Sequence, residues 1–146
     1  MAINQTVTKL DADQVKARAA ELHAAGFNCA QSVVCALAPA LDIDEDLAFR
    51  LAEGFGAGMG GMSETCGAIS DAIMAAGALA STGRTQPTSK GATYKLSRRI
   101  CEGFEQKNGS TICRTLKGVG SDQGPLRSCA GCIDDAIEMA LEVLGL

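Results

Sequence analysis

Apolar residues recur along this chain at helical spacing and almost never in strict alternation, so the pattern predicts helices and no central strand. Val15, Ala19, Leu22 and Ala25 fall on one face of a first helix, with Lys16, Arg18 and Glu21 off it. Asp11 or Asp13 caps that helix, and Gly26 ends it. "NCAQSVVCALAPAL" reads as a second, more apolar helix with Asn28 as its N-cap and Pro39 disrupting its end. "DIDEDLAFRLAEGF" is a third, with Leu47, Leu51 and Phe55 spaced by four residues. After the loop "GMGGM" comes a fourth, "CGAISDAIMAAGALAST", whose small residues allow neighbouring helices to approach closely. A polar linker, "STGRTQPTSKGA", leads to "TYKLSRRICEGFEQKNG", a fifth helix stopping at Asn108-Gly109. "STICRTLKG" is a short sixth capped by Ser110. After the loop "GVGSDQGP", the last helix is "SCAGCIDDAIEMALEVL", with Ser128 as N-cap and Ile133, Ile137, Ala140 and Leu144 as its apolar stripe. No fixed-period repeat interrupts this order. The expectation is one all-α domain over residues 1–146, a single helical bundle of about six or seven helices.

Composition narrows the function. With 146 residues the chain can bury a core without disulfides. A net charge of −4 and a pI of about 4.9 argue against nucleic acid or an anionic membrane as the main partner. Aromatic residues are 3% and Trp is absent, which removes a base-stacking surface. "MAINQTVTKLDADQVKARAA" has no apolar signal core, and no apolar run is long enough to span a bilayer. The expected location is the cytoplasm, where thiols stay reduced. Seven cysteines in that setting point to metal binding or redox chemistry rather than to structural disulfides.

Position separates these cysteines better than number. Cys29, Cys66 and Cys129 each open a helix, and Cys113 sits in the first turn of the short sixth. A helix N-terminus presents free N–H groups and partial positive charge, which favour a thiolate, the form that binds metal and attacks electrophiles. Cys35 and Cys101 are mid-helix and read as small core residues. Cys35 lies roughly 120° around the helix from Cys29, so the two do not face one site. Cys132 forms C-A-G-C with Cys129, a spacing shared by redox dithiols and metal knuckles. No His follows Cys132, so there is no haem attachment motif.

Other features carry less. Gly56, Gly58 and Gly61 fit G-x-G-x-x-G, but a helix precedes them where the dinucleotide fingerprint needs a strand. "GALASTGRT" has the wrong spacing for a phosphate loop. An interhelical turn is the simpler reading of the glycines. His23 reads as a surface or core histidine, and Asp42, Asp44, Glu45 and Asp46 as a solvated helix start. Met59 and Met62 are expected to pack against the core.

Taken together, "NCAQSV", "CGAISD", "NGSTICRTL" and "SCAGCIDDAIEMA" resemble the redox-active family named for its C…CGAxxG…C…C cysteine pattern. The resemblance runs from about Gly26 to the C-terminus and maps the four family cysteines onto Cys29, Cys66, Cys113 and Cys129. Cys132 stands beside the motif as an extra, and Asp71 stands where the pattern has glycine. The related domain of split-Soret cytochromes holds haem and an iron–sulfur centre. That similarity implies an iron–sulfur site on the four cysteines, dimer formation, and an electron-transfer partner or redox-sensing role. Two alternatives stay open: a thiol–disulfide protein using Cys129 and Cys132, or Cys66, and a structural helical domain with zinc or no metal.

Overall fold

The computed structural model describes residues 9–146, so part of the N-terminal stretch read for a signal core lies outside the described residues. Within them are seven α-helices: α1 Ala12–Ala24, α2 Cys29–Leu41, α3 Glu45–Ala52, α4 Gly67–Ala80, α5 Lys90–Asn108, α6 Cys113–Lys117 and α7 Cys129–Leu144. The described residues contain no strand. A single antiparallel bridge pairs Thr65 with Ile112. No described helix is long and apolar enough to cross a membrane.

The helix starts follow from local chemistry. Asp11 accepts from the Asp13 N–H at 2.9 Å and caps α1. Asn28 and Gln31 form a capping box on α2: Asn28 Oδ1 accepts from Gln31 N at 2.9 Å, and Gln31 Oε1 accepts from Asn28 N at 3.0 Å. Ser128 accepts from Gly131 N at 2.9 Å and starts α7. Gly109, with φ of 87°, closes α5 in the left-handed conformation.

Helices α2 and α4 form the centre, with α7 across α4 and α1 and α5 flanking α7. The small faces predicted for α4 allow this: Ala68, Ala72, Ala75 and Ala76 are fully buried. Against them pack Val33 and Leu37 of α2, Ile100 and Phe104 of α5, and Ile133 and Ile137 of α7. The α7 stripe is as predicted, with Leu144 at its half-buried edge. A second cluster under α1 to α3 contains Leu22, Val34, Cys35, Ala48 and Ala52.

Several local expectations are corrected. Leu47 and Leu51 do not face the core; they are 49% and 59% exposed. α3 instead buries Ala48 and Ala52, whose small side chains let it lie close on α2 and leave the leucines outside. Pro39 does not end α2, which runs on to Leu41. So near the C-terminus proline's missing N–H leaves only one carbonyl of the preceding turn unmatched. Met59 is half exposed, carried outward by a loop in which Ala57, Gly58, Met59, Gly60 and Met62 all have positive φ. Ser110 does not cap α6: its hydroxyl accepts from Ile112 N at 3.0 Å, two residues before the cap position, which Ile112 occupies. α5 begins at Lys90, inside the stretch read as linker.

Candidate functional site

Four helix starts converge. Cys29 is the first residue of α2, Cys66 the cap residue of α4, Cys113 the first of α6 and Cys129 the first of α7. The Thr65–Ile112 bridge explains how two of them meet. Cys66 N donates to Thr111 O at 2.8 Å and Cys113 N donates to Glu64 O at 2.9 Å, so the two segments run side by side into their helices. Nothing in the hydropathy pattern signals this pairing, because it is two residues long and made by backbone.

These cysteines line one cavity of about 170 Å³ together with Cys132, His23, Asn28, Ala57, Leu116, Lys117 and Arg127. Cys66, Cys113 and Cys132 are buried, and Cys29 and Cys129 are half-buried. Two glycines make the close approach possible. A Cβ on Gly67 would lie 2.8 Å from Cys29 Sγ and 2.7 Å from the Phe55 carbonyl oxygen. A Cβ on Gly58, whose φ is +56°, would overlap Cys113 Cβ. Cys35 lies away from the cavity in the second core cluster, its thiol 3.8 Å from the Glu45 carbonyl oxygen. Cys101 packs against the main core from α5. Both mid-helix cysteines are therefore core residues, as read from position.

The thiols are not the activated set that helix starts alone suggest. The Cys29 thiol donates a hydrogen bond to Cys66, and with burial this pushes its pKa far up. The Cys66 thiol in turn donates a hydrogen bond to Cys132; with burial, this outweighs the bond from Cys29 and raises Cys66 to about 12. Burial also raises Cys113, against the pull of Lys117. At these positions desolvation and thiol–thiol hydrogen bonds outweigh the helix N-terminus, whose effect is confined to the first turn. Cys29, Cys66 and Cys132 stand in series rather than around a point. Among the described residues no three His, Cys, Asp or Glu side chains are grouped to hold a single metal ion.

The cavity's charged lining is cationic. Lys117 follows Cys113 by one turn of α6, which puts both on the same face. Its ammonium is held charged chiefly by Cys129, within hydrogen-bonding reach, and also by Cys113 and Cys29. Arg127 is fixed by Asp135, donating from Nε at 3.0 Å and Nη2 at 3.3 Å. Burial pushes Asp135 up, but hydrogen bonds from Lys107, Arg127 and Asn108 outweigh it and hold the carboxyl below its ordinary value. No Asp or Glu lines the cavity. His23, read from sequence as a surface or core residue, lines it instead, with Nδ1 3.0 Å from the Phe27 carbonyl oxygen.

Asp71 is the other departure. It sits on α4 one turn after Gly67, is 0% exposed, and neither carboxylate oxygen has a hydrogen-bond partner. Burial, and secondarily the charge of Cys29, raise it to about 8, so it is neutral at pH 7. The charge-based sequence reading did not find Lys117, Arg127 or His23. The Lys117 spacing from Cys113 was the one available signal.

With this geometry in view, the comparison with known families is decisive. A family described as "Putative redox-active protein (C_GCAxxG_C_C)" matches residues 27–143. The chain belongs to that family. The match spans α2 to α7 and so contains all five cavity cysteines. No curated protein and no solved structure matches the chain.

Proposed function

We propose that this member of the C_GCAxxG_C_C family is a redox protein whose cavity holds an iron–sulfur cluster through Cys29, Cys66, Cys113 and Cys129. One observation carries the reading. Five thiols from four helix starts line one cavity of about 170 Å³, beside two cations and no carboxylate. That volume is many times the roughly 10–15 Å³ that one water needs by the same measure, which suits a group of several atoms better than one ion.

When bound, such a cluster supplies one-electron transfer. The rest falls to the chain. The four cysteines provide thiolate ligands. Lys117 and Arg127 offset negative charge from the side of Cys129 and Cys132. Gly58 and Gly67 keep backbone close to the sulfurs. Cys29 and Cys66 hold their protons tightly in the free protein, so loading must release them and is favoured as pH rises.

The test is anaerobic reconstitution with iron and sulfide, followed by metal and acid-labile sulfide analysis and a visible spectrum. Wild type and Cys35→Ser are expected to load alike, while Cys66→Ser and Cys113→Ser lose the chromophore. A wild type that takes up no iron, or a Cys66→Ser variant that loads fully, overturns the assignment. Uptake of zinc alone makes the site structural.

A further inference from the structure

We propose that the cluster-free protein carries out thiol–disulfide exchange with small anionic disulfides, with Cys129 as attacking thiol, Lys117 as the cation that draws the substrate, and Cys132 as resolving thiol. The inference concerns the thiols without metal and does not depend on the cluster.

Accessibility selects Cys129. Of the five cavity cysteines, Cys66, Cys113 and Cys132 are 6%, 5% and 3% exposed. Cys29 is half-buried too, but no second cysteine stands within a turn of it on α2. Cys129 is half-buried, stands first on α7, and lines the same cavity as Lys117.

Charge selects the substrate. Lys117 and Arg127 line the cavity and no carboxylate does, in a chain whose net charge is −4. An anionic disulfide is attracted to this mouth. Position selects the resolver. Cys132 lies three residues after Cys129, within one turn of the same helix start, and faces the same cavity.

The step balances. The Cys129 thiolate attacks one sulfur of the disulfide RSSR, forming Cys129–S–S–R and releasing RS⁻. Cys132 gives its proton to solvent and attacks the Cys129 sulfur, breaking that bond and releasing the second RS⁻. Two protein thiols are oxidised, one disulfide is reduced to two thiolates, and two protons leave.

The experiment uses reduced, chelator-treated full-length protein and two chromogenic aromatic disulfides. One is the dianionic 5,5′-dithiobis(2-nitrobenzoate); the other is the neutral 4,4′-dithiodipyridine. Wild type should release two equivalents of thiolate in its first fast phase, and peptide mapping should give a Cys129–Cys132 disulfide. Cys132→Ser should release one equivalent and trap the mixed disulfide on Cys129. Lys117→Met should slow the dianionic reagent by about four-fold more than the neutral one, the size expected in water for unit charges about 5 Å apart. Lys117→Arg should restore the difference, and added salt should erase it. First labelling at another cysteine, a disulfide to another partner, or equal slowing of both reagents overturns the proposal. Iron uptake is measured separately, so failure of the cluster reading leaves this result readable.

Discussion

Asp71→Asn is the substitution whose effect the structure specifies most fully. Asp71 is fully buried on α4 and both oxygens lack partners. Its carboxyl titrates near 8 in the folded protein, against 3.8 for an ordinary carboxyl. Between those values the unfolded chain has lost this proton while the folded chain keeps it. The folded state therefore binds more protons, and stability falls as pH rises, by about 1.4 kcal/mol per unit. From pH 5 to pH 8 the accumulated loss is about 4 kcal/mol, a large share of the 5–15 kcal/mol typical of a domain. Asparagine is nearly isosteric, remains polar and cannot ionise, so it keeps the unsatisfied polar group and removes only the titration. The assay is urea unfolding of metal-free, reduced protein at pH 5, 6, 7 and 8. The variant should gain on wild type by about 1.4 kcal/mol at each step and level off above pH 8, where folded Asp71 ionises as well. A difference that stays constant across this range, or that shrinks with rising pH, refutes the neutral, buried carboxyl.

Two further substitutions test the packing around the site. Gly67→Ala places a Cβ against the Phe55 carbonyl, Cys29 Sγ and Ala30 Cβ, at 2.7, 2.8 and 3.2 Å. It should cost about 1–3 kcal/mol in urea unfolding and lower iron uptake, as overpacking does in a tight core; unchanged stability and uptake would contradict the close α2–α4 approach. Leu47→Ser combined with Leu51→Ser should change stability by less than about 1 kcal/mol in total, because both leucines point to solvent; a loss of several kcal/mol would put them back in the core.

Much of this was legible in the sequence where a local rule has no competitor. Asn28 followed by Gln31, and Ser128 before a run of helix formers, are self-contained capping signals, and both caps form. The four helix-start cysteines also emerged from local position, and all four reach the cavity. Failures occur where tertiary contact decides. The Leu47–Leu51 spacing is a sound amphipathic signal, yet Ala48 and Ala52 win the interface because close packing against α2 needs small side chains. Helix-start position predicts a lowered thiol pKa, but it cannot reveal that Cys66 has a thiol on each side. Asp71, assigned to no face from sequence, lies on the Gly67 side of α4, which packs on α2.

The distribution of charge links these observations. Four thiolates in one cavity would repel any nearby carboxylate. At an effective dielectric constant of 20, two like charges 4 Å apart cost about 4 kcal/mol, comparable to much of a domain's stability. Among the described residues the chain avoids that cost in two ways. Its Asp and Glu side chains stay off the cavity lining, where Lys117 and Arg127 stand instead. The one buried carboxyl within electrostatic range of Cys29, Asp71, is neutral at pH 7. Its neutrality is conditional on its surroundings. Negative charge at Cys29 raises the Asp71 pKa further, and an ionised Asp71 raises the cost of deprotonating Cys29. The two groups cannot both ionise cheaply, so a protein that must deprotonate Cys29 gains from keeping the proton on Asp71. The burial that removes the hydrogen-bond partners of Asp71 therefore also removes its charge.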